Sequence, residues 1–432
     1  MTSTQTPAPE RAATRPYQAP DWRDIGIAAL FGLTALALFL FRLADPAKLD
    51  FDETHYVPAV RILMGLGDIA NAEHPPLAKW LISFGIAWFG DNPFGWRIMS
   101  ALFGALLVFA GVMAARWLLG TRAAAVMTGS LLLVSPMLFI QSRIAMLDIF
   151  MASFLMLALW MLAAACRTGF RSRTYLALAG AFLGCATACK WTAIPLVAMA
   201  IVIYLVARRS DWRDQSQGDP GITLLEGLAW LGPFALLVYF ATFLPLMFLQ
   251  HNAVSLGGMV PQQFAMLTLQ SSPMAPHTYQ SVWWQWVLNL RPVWYFYEPV
   301  EGIQRGVLFV GNPAIAWGGL VALALCLYAG LRRGHTALLV IALLWAASLA
   351  FFAIIPKPVM FFYHYFPASL LLCFAIAGVL DRWFWQGGHR VVPALFIGFA
   401  ALLFLEFYPI ISAAPLGDPQ DFNRWMWLDS WR

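Results

Sequence analysis

Charge is scarce in this 432-residue sequence: Asp, Glu, Lys and Arg supply 11% of it, against roughly a quarter of a soluble domain. So little ionic surface could not keep a soluble chain dispersed when 61% of its residues are hydrophobic. The chain is therefore an integral membrane protein, and its 20 Trp and 33 Phe suit the membrane interface. No long basic run accompanies the net charge of +5, which argues against a nucleic-acid partner. The five cysteines (Cys166, Cys185, Cys189, Cys326, Cys373) lie within or at the ends of apolar runs. Cys185 and Cys189 stand at helical i, i+4 spacing, which is neither a redox nor a zinc pattern, so all five read as buried free thiols. Also missing is a signal-peptide h-region: residues 1–24 are rich in Pro, Ala and Thr and carry Arg11, Arg15 and Arg23. They read as a disordered cytoplasmic tail, with the first span as an uncleaved anchor.

What is present is a series of apolar runs near the ~20 residues that cross a bilayer. They fall at about 25–43, 97–118, 123–141, 146–165, 174–190, 191–207, 226–249, 307–330, 336–355, 359–380 and 391–413. The expectation is an all-α polytopic membrane protein of about eleven transmembrane helices, with a membrane domain over 25–413 and an extracytoplasmic tail at 414–432. The run at 75–90 is short, with Lys79 near its start. Counting it as a span would invert everything after it and move nearly all short-loop arginines outside, against the positive-inside rule. With 75–90 as an interfacial helix, Arg116, Arg122, Arg167, Arg171, Arg173, Arg208, Arg209, Arg213, Arg332, Arg333, Arg382 and Arg390 all face the cytoplasm. Two hydrophilic regions then lie outside, 44–96 and 250–306. The second, dense in aromatics and prolines, reads as loop and short interfacial helix, and no inverted repeat of transporter type is visible.

Ionisable groups at span ends are informative because a charge near lipid is costly unless paired or used. In "LDFDETHY" (49–56), Asp52 and Glu53 are adjacent and so point in different directions; they are either solvated edge acids or a base and its partner. In "AEHPPLAKW" (72–80), the double proline opens a helix and sets His74 and Lys79 near headgroup level, Lys79 either snorkelling to lipid phosphate or belonging to a substrate loop. "SRIAMLDIF" (142–150) offers Arg143 and Asp148, as a bracing ion pair or as site residues. Lys190 in "CATACKWTAIP" needs an anion, either a lipid phosphate or Asp148. His364 in "VMFFYHYFPAS" is either packed against a backbone carbonyl or part of the site. On the eleven-span topology all five places share the outer side.

The blocks "LDFDETHY", "GDIANAEHPPLAKW", "WRIMSALFG", "SRIAMLDIF", "CKWTA", "WWQWVLNLRPVWYFYE" and "HYFPAS" together resemble the protein O-mannosyltransferase family. The resemblance runs from about residue 25 to the C-terminus and implies a GT-C fold that uses a polyprenyl-phosphate sugar. Eukaryotic members insert a β-trefoil domain in the large outer loop, and 250–306 is too short to hold one, so this sequence looks like the shorter bacterial form. The resemblance makes Asp52 the catalytic acid and Glu53 its partner, leaving Asp50 an ordinary edge acid. It assigns importance to Arg97, and places Lys190 and His364 near the lipid phosphate.

The implied reaction is transfer of a sugar, mannose by resemblance, to Ser/Thr hydroxyls of secreted or membrane polypeptides at the outer face of a bacterial inner membrane. A hydroxyl needs a carboxylate base as its bond to carbon forms, a role for Asp52. The donor carbon passes through an oxocarbenium-like state, and a single displacement inverts it. Positive charge from Lys190, Arg143 or His364 would steady the departing phosphate. Trp294 and Tyr295 in "RPVWYFYE", with His74, Lys79 and Asp148, are candidates for holding substrate. Asp52, Glu53, His55 and Asp148 could in principle ligate Mg or Mn, but no ligand spacing is visible and the resembled family is metal-independent, so no metal or other cofactor is expected. The rival readings are a GT-C enzyme that modifies a lipid or envelope glycan, and a transporter or lipid flippase.

Overall fold

In the computed structural model, residues 19–168, 172–208, 222–272, 275–354 and 359–432 are described. Most of the expected tail, with Arg11 and Arg15, lies outside them, as do Arg171, Arg209 and Arg213. The chain is helical almost throughout. α1 (Trp22–Leu40) leads into a loop that carries α2 (Glu53–Met64) and α3 (Leu77–Phe89), then α4 (Pro93–Leu119). α5 (Arg122–Leu133), α6 (Pro136–Gln141), α7 (Leu147–Arg167), α8 (Arg173–Cys189) and α9 (Ile194–Ala207) follow. α10 (Leu224–Ala229) and α11 (Ala235–Ala241) are joined by a π-turn around Pro233. The second outer region holds α12 (Met259–Gln270), α13 (Trp283–Val287) and a hairpin of β1 (Val293–Val300) with β2 (Ile303–Phe309). α14 (Pro313–Arg333), α15 (Thr336–Ile354), α16 (Phe366–Val379) and α17 (Val391–Ile411) complete the bundle.

Among the described residues, eight helical stretches are long and apolar enough to cross a membrane, beginning at Trp22, Pro93, Leu147, Leu224, Pro313, Thr336, Phe362 and Val391. The other three expected spans coincide with shorter helices. The run at 123–141 breaks between α5 and α6 because Pro136 has no N–H and keeps Ser135 extended (ψ 110°), freeing the Ser135 hydroxyl to cap α6. α8 has 17 residues and ends at Lys190, whose extended backbone (φ −160°, ψ 133°) turns the chain into α9. α3, at 13 residues, is only about 20 Å long, short of a ~30 Å hydrocarbon core.

Region 250–306, expected as loop and short interfacial helix, contributes β1 and the start of β2. Antiparallel pairing runs from Val293↔Phe309 to Val300↔Ile303, closed by Glu301 and Gly302, both at positive φ (53° and 79°) as a type I′ turn requires. The apolar run at 307–330 starts as strand and becomes helix only at Pro313, after Asn312 caps it. Strand and buried helix look alike in a short apolar run. The segment 414–432 packs back on the bundle: Trp431 is buried and its Nε1 donates to the Asn289 carbonyl at 2.7 Å.

Helix contacts then set the ends of the bundle. Gly180 and Gly184 on α8 sit so close to the Trp230 and Ala235 carbonyls that a Cβ at either would collide, the close approach that small residues four apart permit. The N-terminus of α7, the C-terminus of α8, the α1–α2 loop and the segment entering α16 meet at one end. At the other end Asp24 binds Arg116 and Arg122, and Arg167 donates to the Trp117 and Leu118 carbonyls.

Candidate active site

The α1–α2 loop is held by a fully buried ion pair. Arg97, near the start of α4, grips Glu53 with two parallel bonds, Nε to Oε1 at 2.8 Å and Nη2 to Oε2 at 2.7 Å. The remaining guanidinium N–H groups donate to the carbonyls of Leu43, Pro46 and Lys48. Glu53 also accepts from the Asp50 and Ala145 amides. Both groups are thereby used up. Arg97, to which the resemblance assigns importance as a donor-binding residue, pins the loop to the bundle, and Glu53 is the loop's anchor. Asp50, read as an edge acid, is in fact buried beside them, with Oδ1 lacking a hydrogen-bond partner. Burial and the nearby Glu53 push its carboxyl well above the usual range, against a smaller opposing pull from Arg97.

Asp52, one residue before Glu53, faces the other way. It is half-buried, so its carboxylate can still be reached, yet protein encloses it enough to raise its pKa from 3.8 to about 6. Loss of water is the main cause; the Lys190 and His55 charges oppose it, and those of Asp148 and Glu73 reinforce it. Beside Asp52 lies the second buried pair, in which Lys190 Nζ meets both Asp148 oxygens, at 2.9 and 2.8 Å. Lys190 stands at the C-terminus of α8 and Asp148 in the first turn of α7, each favoured there by its helix dipole. The Lys190 ammonium also sits 4.8 Å from the centre of the Tyr363 ring.

One turn along α7 from Asp148, at Ala152, begins a cavity of about 440 Å³. It runs down α7 as far as Arg167, about 22 Å of helix, and is walled by α8, α9, α15 and α16 with side chains such as Leu155, Leu159, Leu196, Leu344 and Leu371. A charged head and an almost wholly apolar trough therefore adjoin.

The other expected residues are built into the frame. Arg143, a candidate for steadying the phosphate, donates to the carbonyls of Phe39, Phe41 and Arg42 and so caps the C-terminus of α1. Lys79 is buried and donates to the carbonyls of Ala70, Asn71 and His74; it ties that loop together and does not snorkel to lipid. His74 lies edge-on to Tyr56. His364 bonds Phe361 through Nδ1 and stacks on Trp286 at 12°, the packed-histidine alternative. Tyr295 reaches the site, stacked between Phe51 and Phe309, and its hydroxyl accepts from Gln141. Trp294, its neighbour on β1, points to the opposite face and packs on Tyr297 and Phe422. Among the described residues no three His, Cys, Asp or Glu side chains gather as a metal site. Sequence reasoning missed Phe51 and Tyr363, although both lie in stretches it singled out; the aromatic density of "FFYHYF" was the available signal.

Two family models match the chain. "Dolichyl-phosphate-mannose-protein mannosyltransferase" covers residues 73–252, and "C-terminal four TMM region of protein-O-mannosyltransferase" covers 256–431. A polyprenol-phosphate-mannose–protein mannosyltransferase of Mycobacterium tuberculosis is 29% identical over 95% of this chain and 92% of its own length. Among solved structures, the Saccharomyces cerevisiae protein O-mannosyltransferase Pmt1-Pmt2 complex bound to the sugar donor aligns with TM-score 0.84 at 14% identity, covering 96% of this chain and 93% of that one. ArnT from Cupriavidus metallidurans aligns with TM-score 0.61 at 20% identity, over 91% of this chain and 66% of its own. At these identities the structural likeness establishes the fold, which is the GT-C architecture.

Proposed function

Because the chain belongs to the protein O-mannosyltransferase family, we propose that it moves mannose from a polyprenyl-phosphate carrier to Ser or Thr hydroxyls of polypeptides, with Asp52 as the base. The observation that carries this reading is the accessible Asp52 carboxylate, set beside the Lys190–Asp148 pair at the head of the apolar trough. A carrier lipid has that same division, a long apolar tail and a single charged head. Its tail would lie along α7 and its sugar phosphate would come up against Lys190. Two of the three ammonium protons go to Asp148, which leaves one for a phosphate oxygen.

The reaction then needs little covalent work from the protein. The acceptor oxygen forms its bond to the sugar C1 as the bond from C1 to the phosphate oxygen breaks, inverting C1. Asp52 takes the hydroxyl proton, and the electron pair leaves on polyprenyl phosphate, whose added charge Lys190 offsets. A carboxylate with pKa about 6 is mostly ionised at pH 7 and is a better proton acceptor than an ordinary aspartate. We assign the active-site end to the outside of a bacterial inner membrane, because Arg116, Arg122, Arg332, Arg333 and Arg382 collect at the opposite end.

The test is the purified protein in lipid nanodiscs with polyprenyl-phosphate mannose and a Ser/Thr peptide. Wild type mannosylates the peptide and Asp52→Asn does not. Full turnover by Asp52→Asn would remove Asp52 from the base role, and mannose appearing on lipid but never on peptide would overturn the choice of acceptor.

A further inference from the structure

A second residue controls what Asp52 can do. Asp50 to Glu53 form a tight turn closed by the Glu53 amide on the Asp50 carbonyl at 2.8 Å. Its first central residue, Phe51, has φ 45°, and its second, Asp52, has φ −69° and ψ −6°. A positive φ followed by a negative one is the φ pattern of a type II′ turn, whose first central position is normally Gly, because a Cβ at positive φ crowds the backbone. A bulky aromatic there is a true outlier, held only if its surroundings over-determine it.

The surroundings do so. The Phe51 ring lies flat on Tyr295, 4.3 Å between centroids and 9° between planes, and Tyr295 lies flat on Phe309 (5.0 Å, 10°). Phe361 and Tyr363 meet the same ring edge-on at 6.2 and 5.8 Å. The clamp thus comes from the β-hairpin and from the segment entering α16, both remote in sequence from the turn. Tyr363 in turn lies against Lys190. On the other flank Glu53 accepts from the Asp50 amide and is itself locked to Arg97. The Asp52 carboxylate is held by neither a hydrogen bond nor a ring stack, so its direction is set by the backbone on either side.

We propose that Phe51 is a positioning residue: clamped between Tyr295 and the Phe361–Tyr363 edge, it holds the turn in its left-handed form and aims Asp52 at the Lys190–Asp148 pair. This rests on Asp52 as the base. Without the clamp the turn can relax, and Asp52 can swing toward water, away from the carbon it must serve. The charges that face it in place are Lys190 from α8, Asp148 from α7, His55 from α2 and Glu73 from the α2–α3 loop.

The experiment uses the full chain in nanodiscs with polyprenyl-phosphate mannose and a Ser/Thr peptide. Phe51→Gly supplies the residue that the turn favours, so folding is retained while the clamp is lost. The expected result is a kcat lower by about 10- to 100-fold with donor KM within about twofold, the scale of a small misplacement of a reacting group. The acid limb of the pH–rate profile, near 6 in wild type, should move down by at least about half a unit as Asp52 regains water. Phe51→Tyr, which keeps the ring, should restore most of the turnover. Tyr295→Leu removes the clamp without touching the turn and should reproduce the Phe51→Gly loss, which covers the case of a poorly folded glycine variant. Wild-type kcat in Phe51→Gly, or an equal loss in Phe51→Tyr, overturns the inference while an inactive Asp52→Asn leaves the base assignment standing. Full turnover in Asp52→Asn overturns both.

Discussion

Replacing Asp52 by Asn should make the protein inactive and more stable at once. Raising a carboxyl pKa from 3.8 to about 6 penalises the ionised native state by about 3 kcal/mol at 1.36 kcal/mol per unit. Asp52 keeps some contact with water, which brings the recoverable part to about 2 kcal/mol. Asn keeps the shape and discards the charge, so above pH 7 its melting temperature should exceed that of wild type by about 2 °C for a chain of 432 residues. The gap must depend on pH in a definite direction. The native state binds the Asp52 proton more tightly than the unfolded chain does, so wild type gains stability as pH falls from about 6 toward 3.8, and the Asn variant does not. The advantage of Asn should therefore be full above pH 7 and shrink steadily between pH 6 and 4. Differential scanning fluorimetry of both proteins in detergent, taken at half-unit pH steps, measures this. A melting temperature lowered by Asp52→Asn at pH 8 would mean that the carboxylate is a structural ligand, and the base assignment would lose its physical ground. A constant gap from pH 8 to 4 would refute the raised pKa.

Three further outcomes follow from the same contacts. Lys190→Ala leaves the buried Asp148 charge unpaired and should cost about 3–5 kcal/mol, while Lys190→Ala with Asp148→Ala should recover most of the stability but not the donor affinity; thermal melts and donor KM separate the two effects. Arg97→Lys keeps the charge but loses the paired bonds to Glu53 and two or more bonds to loop carbonyls, so yield and melting temperature should collapse, with no selective rise in donor KM among surviving molecules. Ala200→Trp should fill the trough and raise KM for long polyprenyl donors severalfold while sparing donors with chains of two or three isoprene units; an equal effect on both would show that the tail lies elsewhere.

How far the sequence could be read depended on what each charge binds. Asp52 and the Asp148–Lys190 pairing were open to inspection, because an acid or lysine beside an apolar run demands a use or a counter-ion. Arg97, Arg143 and Lys79 were not, because their partners are chiefly backbone carbonyls, which every residue carries and no residue type betrays. The Glu53–Arg97 pair joins positions 44 apart, and nothing local announces it. The hairpin escaped for a different reason. The second half of β2, Val307 to Phe309, is apolar and leads almost directly into α14, so it merges with the span in any hydropathy reading, and only the Glu301–Gly302 turn marks the hairpin off. The trough could not be foreseen at all, since it is a gap among helices that are each uniformly apolar.

Asp50, Asp52, Glu53 and Asp148 are chemically almost alike, and their surroundings divide the work among them. Glu53 is bound on both oxygens by Arg97 and two amides, so it can neither accept a substrate proton nor move. Asp148 is bound on both oxygens by Lys190. Asp50 is buried away from any approach, and its carboxyl is driven well above the ordinary range. Of these four, Asp52 alone is reachable, without an ion-pair partner of its own, and tuned upward only part of the way. A base must have a free lone pair, an open approach and an affinity for protons near the working pH. Any substitution that lent Asp52 a counter-ion, such as Thr54→Arg on the exposed first turn of α2, should lower its pKa and weaken the base even with the carboxylate intact. The signature would be a lower kcat together with an acid limb displaced to lower pH. An unchanged profile with a carboxylate so neutralised would mean that proton removal is not what limits the rate.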